Sequence, residues 1–126
     1  MNKMQKQVQE FHEKFQVNIG ATPQFPSKER VDLRFKLIEE EFKELRDAYA
    51  LGDFVLAADA LGDILYVVFG TGVEFGVDLE QVVDEIHRSN LTKLLPNGEP
   101  LLAENGKVLK GPNYELPDVR RVLFGK

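Results

Sequence analysis

The segment Phe54-Val-Leu-Ala-Ala-Asp-Ala-Leu-Gly-Asp-Ile-Leu-Tyr-Val-Val-Phe69 constrains the fold more than any other part of the chain. Its pattern predicts a helix that is apolar nearly all round, and such a helix must be covered by partners. Ala57, Ala58, Ala60 and Gly62 are small enough to let neighbouring helices approach closely. Asp59 and Asp63 interrupt the apolar surface four residues apart, so both carboxylates share one face. Acids in such a setting require something positive nearby. A cationic side chain such as Lys36 or Arg46 could supply it, and so could a metal ion. The apolar run Ile64–Phe69 by itself is too short, and too closely flanked by aspartate, to span a bilayer.

The flanking segments supply the partners. Val8, Phe11 and Phe15 recur at helical steps within residues 3–16. Pro23 and Pro26 break the chain, and Ser27 is a good N-cap for a helix beginning at Lys28. Val31, Phe35, Ile38, Phe42, Leu45 and Tyr49 mark its apolar stripe, and Gly52 ends it. Asp53 then caps the central helix, which continues, kinked or straight, through Thr71–Phe75 rather than forming a separate element. Asp78 opens a further helix running from Leu79 to about Leu95, with Val82, Val83, Ile86, Leu91 and Leu94 on its apolar face. Beyond Pro96 the pattern is lost. Asn97-Gly98 reads as a turn, Glu104–Lys110 as a short hairpin or ordered arm, and Val119–Leu123 as a short helical turn. The expectation is an all-α fold in one domain, with a four-helix-bundle-like core over about residues 28–95 and a mostly non-helical C-terminal extension over 96–126.

Composition narrows the chemistry. The chain has 126 residues, no cysteine, two histidines and a formal net charge of -5. Disulfides and thiolate metal sites are excluded, and two imidazoles are too few for a typical zinc site. The acidic balance argues against a nucleic-acid polymer as partner. The first residues lack the apolar run of a signal peptide, which gives a cytoplasmic expectation. Oxygen ligands are abundant and favour Mg²⁺, or Mn²⁺, if a metal binds.

The acids are also patterned. Glu40, Glu41 and Glu44 lie at i, i+1 and i+4 on the predicted second helix, so Glu44 shares a face with each of the others. The short connection around Gly52 makes that helix and the central one antiparallel neighbours, which lets Glu40, Glu41, Glu44, Asp59 and Asp63 converge. Seen alone, Glu39–Glu44 reads as an ordinary solvated helix face. Together with two acids in an apolar helix, it reads as a metal site.

These motifs resemble those of the MazG-like all-α nucleoside triphosphate pyrophosphohydrolases, a superfamily that includes phosphoribosyl-ATP pyrophosphohydrolase and the dimeric dUTPases. The family pattern is Glu-Glu-x-x-Glu on one helix and Glu-x-x-Asp on the next. Here the first reads Glu40-Glu41-Phe42-Lys43-Glu44 and the second ends at Asp63. The chain departs from the pattern at Ala60, where the family has glutamate. Either Asp59 replaces it, or Asp59 matches the motif aspartate and the missing partner falls at Leu56. Asp84-Glu-Ile-His-Arg-Ser-Asn-Leu-Thr-Lys93 and Gly106-Lys-Val-Leu-Lys-Gly-Pro-Asn-Tyr114 resemble the phosphoribosyl-ATP pyrophosphohydrolase-like subgroup.

The resemblance implies hydrolysis of a nucleoside triphosphate to monophosphate and pyrophosphate, by attack of water at the α-phosphorus. It implies Glu40, Glu41, Glu44 and Asp63 as catalytic and metal-binding residues, with Asp59 the next metal ligand. Asn90, Lys93, Arg88, Lys107, Lys110 and Tyr114 are the expected contacts to nucleotide or phosphate. A homodimer or homotetramer follows from the same resemblance. Hydrolysis of phosphoribosyl-ATP is the nearest alternative activity, and a catalytically inactive helical scaffold is the non-enzyme alternative.

Overall fold

Helix α2 (Lys28–Ala50) and helix α3 (Phe54–Phe75) form the antiparallel hairpin on which the rest of the N-terminal part is built. The computed structural model describes residues 1–126. Only Leu51, Gly52 and Asp53 separate the two helices, and Gly52 takes φ 67°, a left-handed value that glycine adopts without strain. Ser27 accepts a hydrogen bond from the Arg30 amide, and Asp53 accepts one from Leu56, so each helix start is capped as the sequence suggests. Helix α1 (Lys3–Lys14) also packs against α3. Its Asn2 cap accepts from Gln5 N at 2.8 Å. The Gln5 carboxamide is almost wholly buried, donates to Val77 O and accepts from Leu79 N. These two bonds tie the start of α1 to the segment just past α3.

The chain divides into two compact units, Met1–Leu79 and Glu80–Lys126. In the second, helix α4 (Leu79–Leu91) gives way to a long irregular segment and the short helix α5 (Val119–Phe124). The architecture is all-α with five helices, four of them long. Helix α4 stops earlier than its apolar pattern suggests. The amides of Thr92, Lys93 and Leu94 bond to carbonyls three residues back, and the Thr92 hydroxyl takes up the Ser89 carbonyl, so the end tightens into turns before Pro96. The arm contains one antiparallel bridge, Leu102 to Val108, around the Asn105-Gly106 turn.

Helix α3 continues through Gly70 and Thr71 to Phe75 as expected, ending at Gly76 with φ 70°. It is therefore longer than the run Ile64–Phe69. At 22 residues, with a mean hydropathy of 1.6 over its most apolar 18, it is long and apolar enough to cross a membrane, a measure that core helices also meet. Charge is nonetheless built into it. Glu74, with a fully buried side chain, receives Nε and Nη2 of Arg30 at 2.8 and 2.9 Å and faces Arg34 Nη1 at 3.1 Å. Arg34 also donates to Thr71 Oγ1 and to the Val67 carbonyl. This guanidinium can lie against α3 because residue 70 has no side chain. A Cβ there would collide with Arg34 Nη2 and come within 3.1 Å of His12 Nε2.

Gly70→Ala should therefore destabilise the fold, although alanine is ordinarily the better helix residue. Displacing a guanidinium held by three partners is expected to cost roughly 1–3 kcal/mol, the range for overpacked sites. Urea unfolding of the two proteins measures it; equal or greater stability of the alanine variant would refute the packing argument.

Candidate metal centre

The antiparallel register sets Glu41 and Glu44 of α2 opposite Asp63 of α3. One carboxylate oxygen from each lies within 4.8 Å of the others. Glu41 and Asp63 are half-buried and Glu44 is exposed. Glu41 Oε2 is buried and has no hydrogen-bond partner, an expensive state for a carboxylate oxygen. Neither Lys36 nor Arg46 forms an ion pair with Asp59 or Asp63. The Arg46 guanidinium instead lies over the Phe42 ring at 4.8 Å. The internal cation that could have explained the acids on α3 is absent from this end of the helix.

The carboxyl groups respond accordingly. Desolvation, with Glu44 close by and Asp63 and Glu40 further contributors, pushes Glu41 up to about 7. Burial and the charges of Asp59 and Glu44 raise Asp63 above its ordinary value. Protons and a divalent cation are the two ways to relieve such a cluster. Three convergent oxygen donors with no nitrogen or sulfur ligand suit a hard cation of the Mg²⁺ or Mn²⁺ type. The orphaned Glu41 oxygen gives that cation a ligand that no protein group satisfies.

Glu40 and Asp59 lie outside the tight trio. Both are exposed, and each acts on it through charge, Glu40 on Glu41 and Asp59 on Asp63. Ala60 is buried. Together with Asp59 and Glu44 it lines a hollow of about 190 Å³. The departure from the two-helix motif thus leaves space beside Glu44, with Asp59 on its wall.

The other sequence-predicted contacts lie in the second unit. Arg88 is committed on two sides, with Nε and Nη2 on Glu85 at 2.8 and 2.9 Å and Nη1 on Glu115 at 2.8 Å. Glu85 also accepts the Asp118 amide at 2.6 Å, and these bonds hold its carboxyl down to about 2. The pair clasps the C-terminal segment to α4. Lys93 and Lys110 place their ammonium groups 5.9 and 4.9 Å from the centre of the Tyr114 ring. Asn90 and Lys107 are exposed, as is His87.

An antiparallel pair of helices thus brings Glu41 and Glu44 of a Glu-Glu-x-x-Glu segment to an aspartate on an apolar helix, an all-α carboxylate cluster that could hold a metal ion. The family model described as phosphoribosyl-ATP pyrophosphohydrolase matches residues 8–90. The chain belongs to that family. It is also 39% identical, over 94 residues, to the uncharacterized protein L479 of Acanthamoeba polyphaga mimivirus. That match takes in 74% of this chain but only 35% of the viral protein. Among solved structures, a candidate NTP pyrophosphohydrolase from Exiguobacterium sp. 255-15 is similar in fold, with a TM-score of 0.51 and 22% identity. The match covers 95% of this chain and 92% of the other.

The sign of the Glu41 shift yields a test. Its folded value lies above the unfolded one, so folding is favoured where the group is protonated, and this contribution fades as pH rises from about 4.5 through about 7. Chelated protein should lose thermal stability across that window, and Mg²⁺ should restore it with an affinity that rises with pH. In Glu41→Gln the pH-dependent part should shrink. Thermal melts with EDTA or Mg²⁺ at pH 5 and 8 report both; a wild-type curve matching the variant's would rule out the assignment.

Proposed function

We infer that the chain is an Mg²⁺-dependent nucleoside triphosphate pyrophosphohydrolase that converts an NTP or dNTP to the monophosphate and pyrophosphate. The observation that carries this reading is the trio Glu41, Glu44 and Asp63, close-set and without a cationic side chain, in a member of a pyrophosphohydrolase family. Held by these three residues, Mg²⁺ or Mn²⁺ would neutralise phosphate charge and lower the pKa of water at the site. The water oxygen bonds to the α-phosphorus as the bond to the bridging oxygen breaks and pyrophosphate leaves. The proton passes to a carboxylate outside the trio, and Glu40 and Asp59 are the two within its electrostatic reach. Asn90, Lys93, Lys107, Lys110 and Tyr114 remain the contacts assigned to nucleotide or phosphate. Arg88 would join them while its charge is shared with Glu85 and Glu115.

The family match favours a second reading, hydrolysis of phosphoribosyl-ATP. A panel of NTPs, dNTPs and phosphoribosyl-ATP, with product identification, separates the two. The expected products from triphosphates are monophosphate plus pyrophosphate rather than stepwise phosphate. Glu44→Ala should reduce turnover by at least about 10²-fold, the scale for losing one electrostatic element of a transition state. Absence of pyrophosphate from every compound would sink both readings and leave a helical scaffold.

The reading includes self-association. Val55, Ala58, Leu61, Gly62 and Leu65 follow one exposed face of α3, and a second copy is the occupant that buries it. The lack of cysteine fits a cytoplasmic site of action. Light scattering should give a dimer or tetramer for the wild type and a smaller species for Leu61→Arg; an unchanged mass in the variant would place the contact elsewhere.

A further inference from the structure

A cavity of about 660 Å³ lies in the first unit where α1, α2 and α3 meet. Phe11, Leu33, Leu37 and Tyr66 form much of its wall, and Phe11 meets Tyr66 edge to face at 5.8 Å between ring centres. It begins one helical turn from the carboxylate trio, because Leu37 precedes Glu41 by four residues and Tyr66 follows Asp63 by three. The hollow at the other end of the trio is about 190 Å³. Small-molecule pockets run from about 300 to 1,000 Å³, so only the larger space suits a nucleoside.

Its polar groups are few and unequal. Arg34 and His12 are each more than nine-tenths buried, and with Arg30 they line the cavity. Arg34 has a protein partner on every nitrogen, with Nε on Thr71, Nη2 on Val67 and Nη1 on Glu74. Arg30 uses Nε and Nη2 on Glu74 and keeps Nη1 without a protein partner. His12 Nδ1 faces the Asn18 carbonyl at 2.9 Å and must donate to it, since a carbonyl only accepts. Burial lowers the imidazole pKa, which favours the neutral ring with Nε2 as an acceptor. Two guanidiniums share the single carboxylate Glu74, and no acid lines the cavity, so its wall keeps an excess positive charge.

The geometry points to this cavity as the base pocket and to Arg30 as a specificity-determining donor that prefers a ring carbonyl to an exocyclic amino group at the same position. The assignment rests on the pyrophosphohydrolase reading and names the base class that reading leaves open: uracil, thymine and hypoxanthine type over cytosine and adenine type. A cationic N–H meeting a carbonyl forms a charge-assisted bond; meeting an amino group, it sets donor against donor. The apolar walls and the Tyr66 ring hold the flat face of either base, so they contribute affinity without choosing between them.

The test separates binding from turnover. The full chain in EDTA is titrated calorimetrically with UMP against CMP and IMP against AMP, pairs that differ by oxo for amino at one ring position. The oxo member of each pair should bind about tenfold or more tighter, the scale of one charge-assisted hydrogen bond. Arg30→Gln should bring both ratios close to one; Arg34 still neutralises Glu74, and circular dichroism checks the fold. Leu33→Trp, at a partly exposed wall position, should weaken all four ligands. Equal binding within the pairs, an amino preference, unaltered ratios in folded Arg30→Gln, unweakened binding in Leu33→Trp, or no binding of any monophosphate would each overturn the assignment. If triphosphates are cleaved but the oxo preference is absent, the base assignment alone fails. If the Arg30-dependent preference holds and nothing is cleaved, hydrolysis fails and the pocket stands.

Discussion

The contact of Arg30 and Arg34 with Glu74 is the constraint on which the first unit depends. A buried ion pair is weak evidence for net stability, because desolvation offsets much of its attraction. Its effect here is to fix register. Two guanidiniums from successive turns of α2 converge on one fully buried carboxylate of α3, and Arg34 adds bonds to Thr71 and Val67. Sliding either helix by one turn would leave a charge buried and unpaired, which costs several kcal/mol. The three-residue link through Gly52 holds the opposite end. With both ends fixed, Glu41 and Glu44 have no freedom except to face Asp63.

The same helix therefore carries two carboxylate sites with opposite solutions. Glu74 is neutralised from within by arginines that a missing side chain at Gly70 admits. Asp63, three turns earlier, meets only further carboxylates. Had Lys36 or Arg46 reached it, the acids of α3 would be ordinary structural partners. The raised Glu41 and Asp63 carboxyls and the orphaned Glu41 oxygen mark an electrostatic strain that a proton or an external cation would relieve. The rigid pair at one end makes that strain sustainable at the other.

Much of this was legible in the residues and some was not. Helix periodicity, the Ser27 and Asp53 caps and the break at Gly52 locate α2 and α3 closely, since these are local properties. Convergence of Glu41, Glu44 and Asp63 follows from short-loop geometry and four-residue spacing. The Glu74 cluster as a whole has no local signature, because Arg30 and Glu74 are 44 positions apart and only the register brings them together. A signal existed: Arg30 and Arg34 are i,i+4 on a helix otherwise read for its apolar stripe, and Glu74 is an acid near the end of an apolar helix. His12 and Gln5 were hidden for the same reason, as polar residues on an amphipathic helix whose buried partners are backbone carbonyls and amides far along the chain or beyond its end. The early end of α4 depends on the Thr92 hydroxyl competing for a backbone carbonyl, which hydrophobic periodicity does not register.

Availability of donors, rather than charge, distinguishes the cationic residues of both units. Arg88 is the most eye-catching cation of its motif, yet both edges of its guanidinium are held by Glu85 and Glu115. Its positive charge is largely offset by these two carboxylates, and Glu85 is held near pKa 2. Lys93 and Lys110 rest on the Tyr114 ring, an interaction with the π face that fixes position while leaving ammonium N–H groups free for an anion. Arg34 and Arg30 divide in the same way, one with Val67, Thr71 and Glu74 on its three nitrogens, the other retaining Nη1. A motif places cations in the right neighbourhood. The hydrogen bonds each has already made decide whether it holds the fold together or reaches for a ligand.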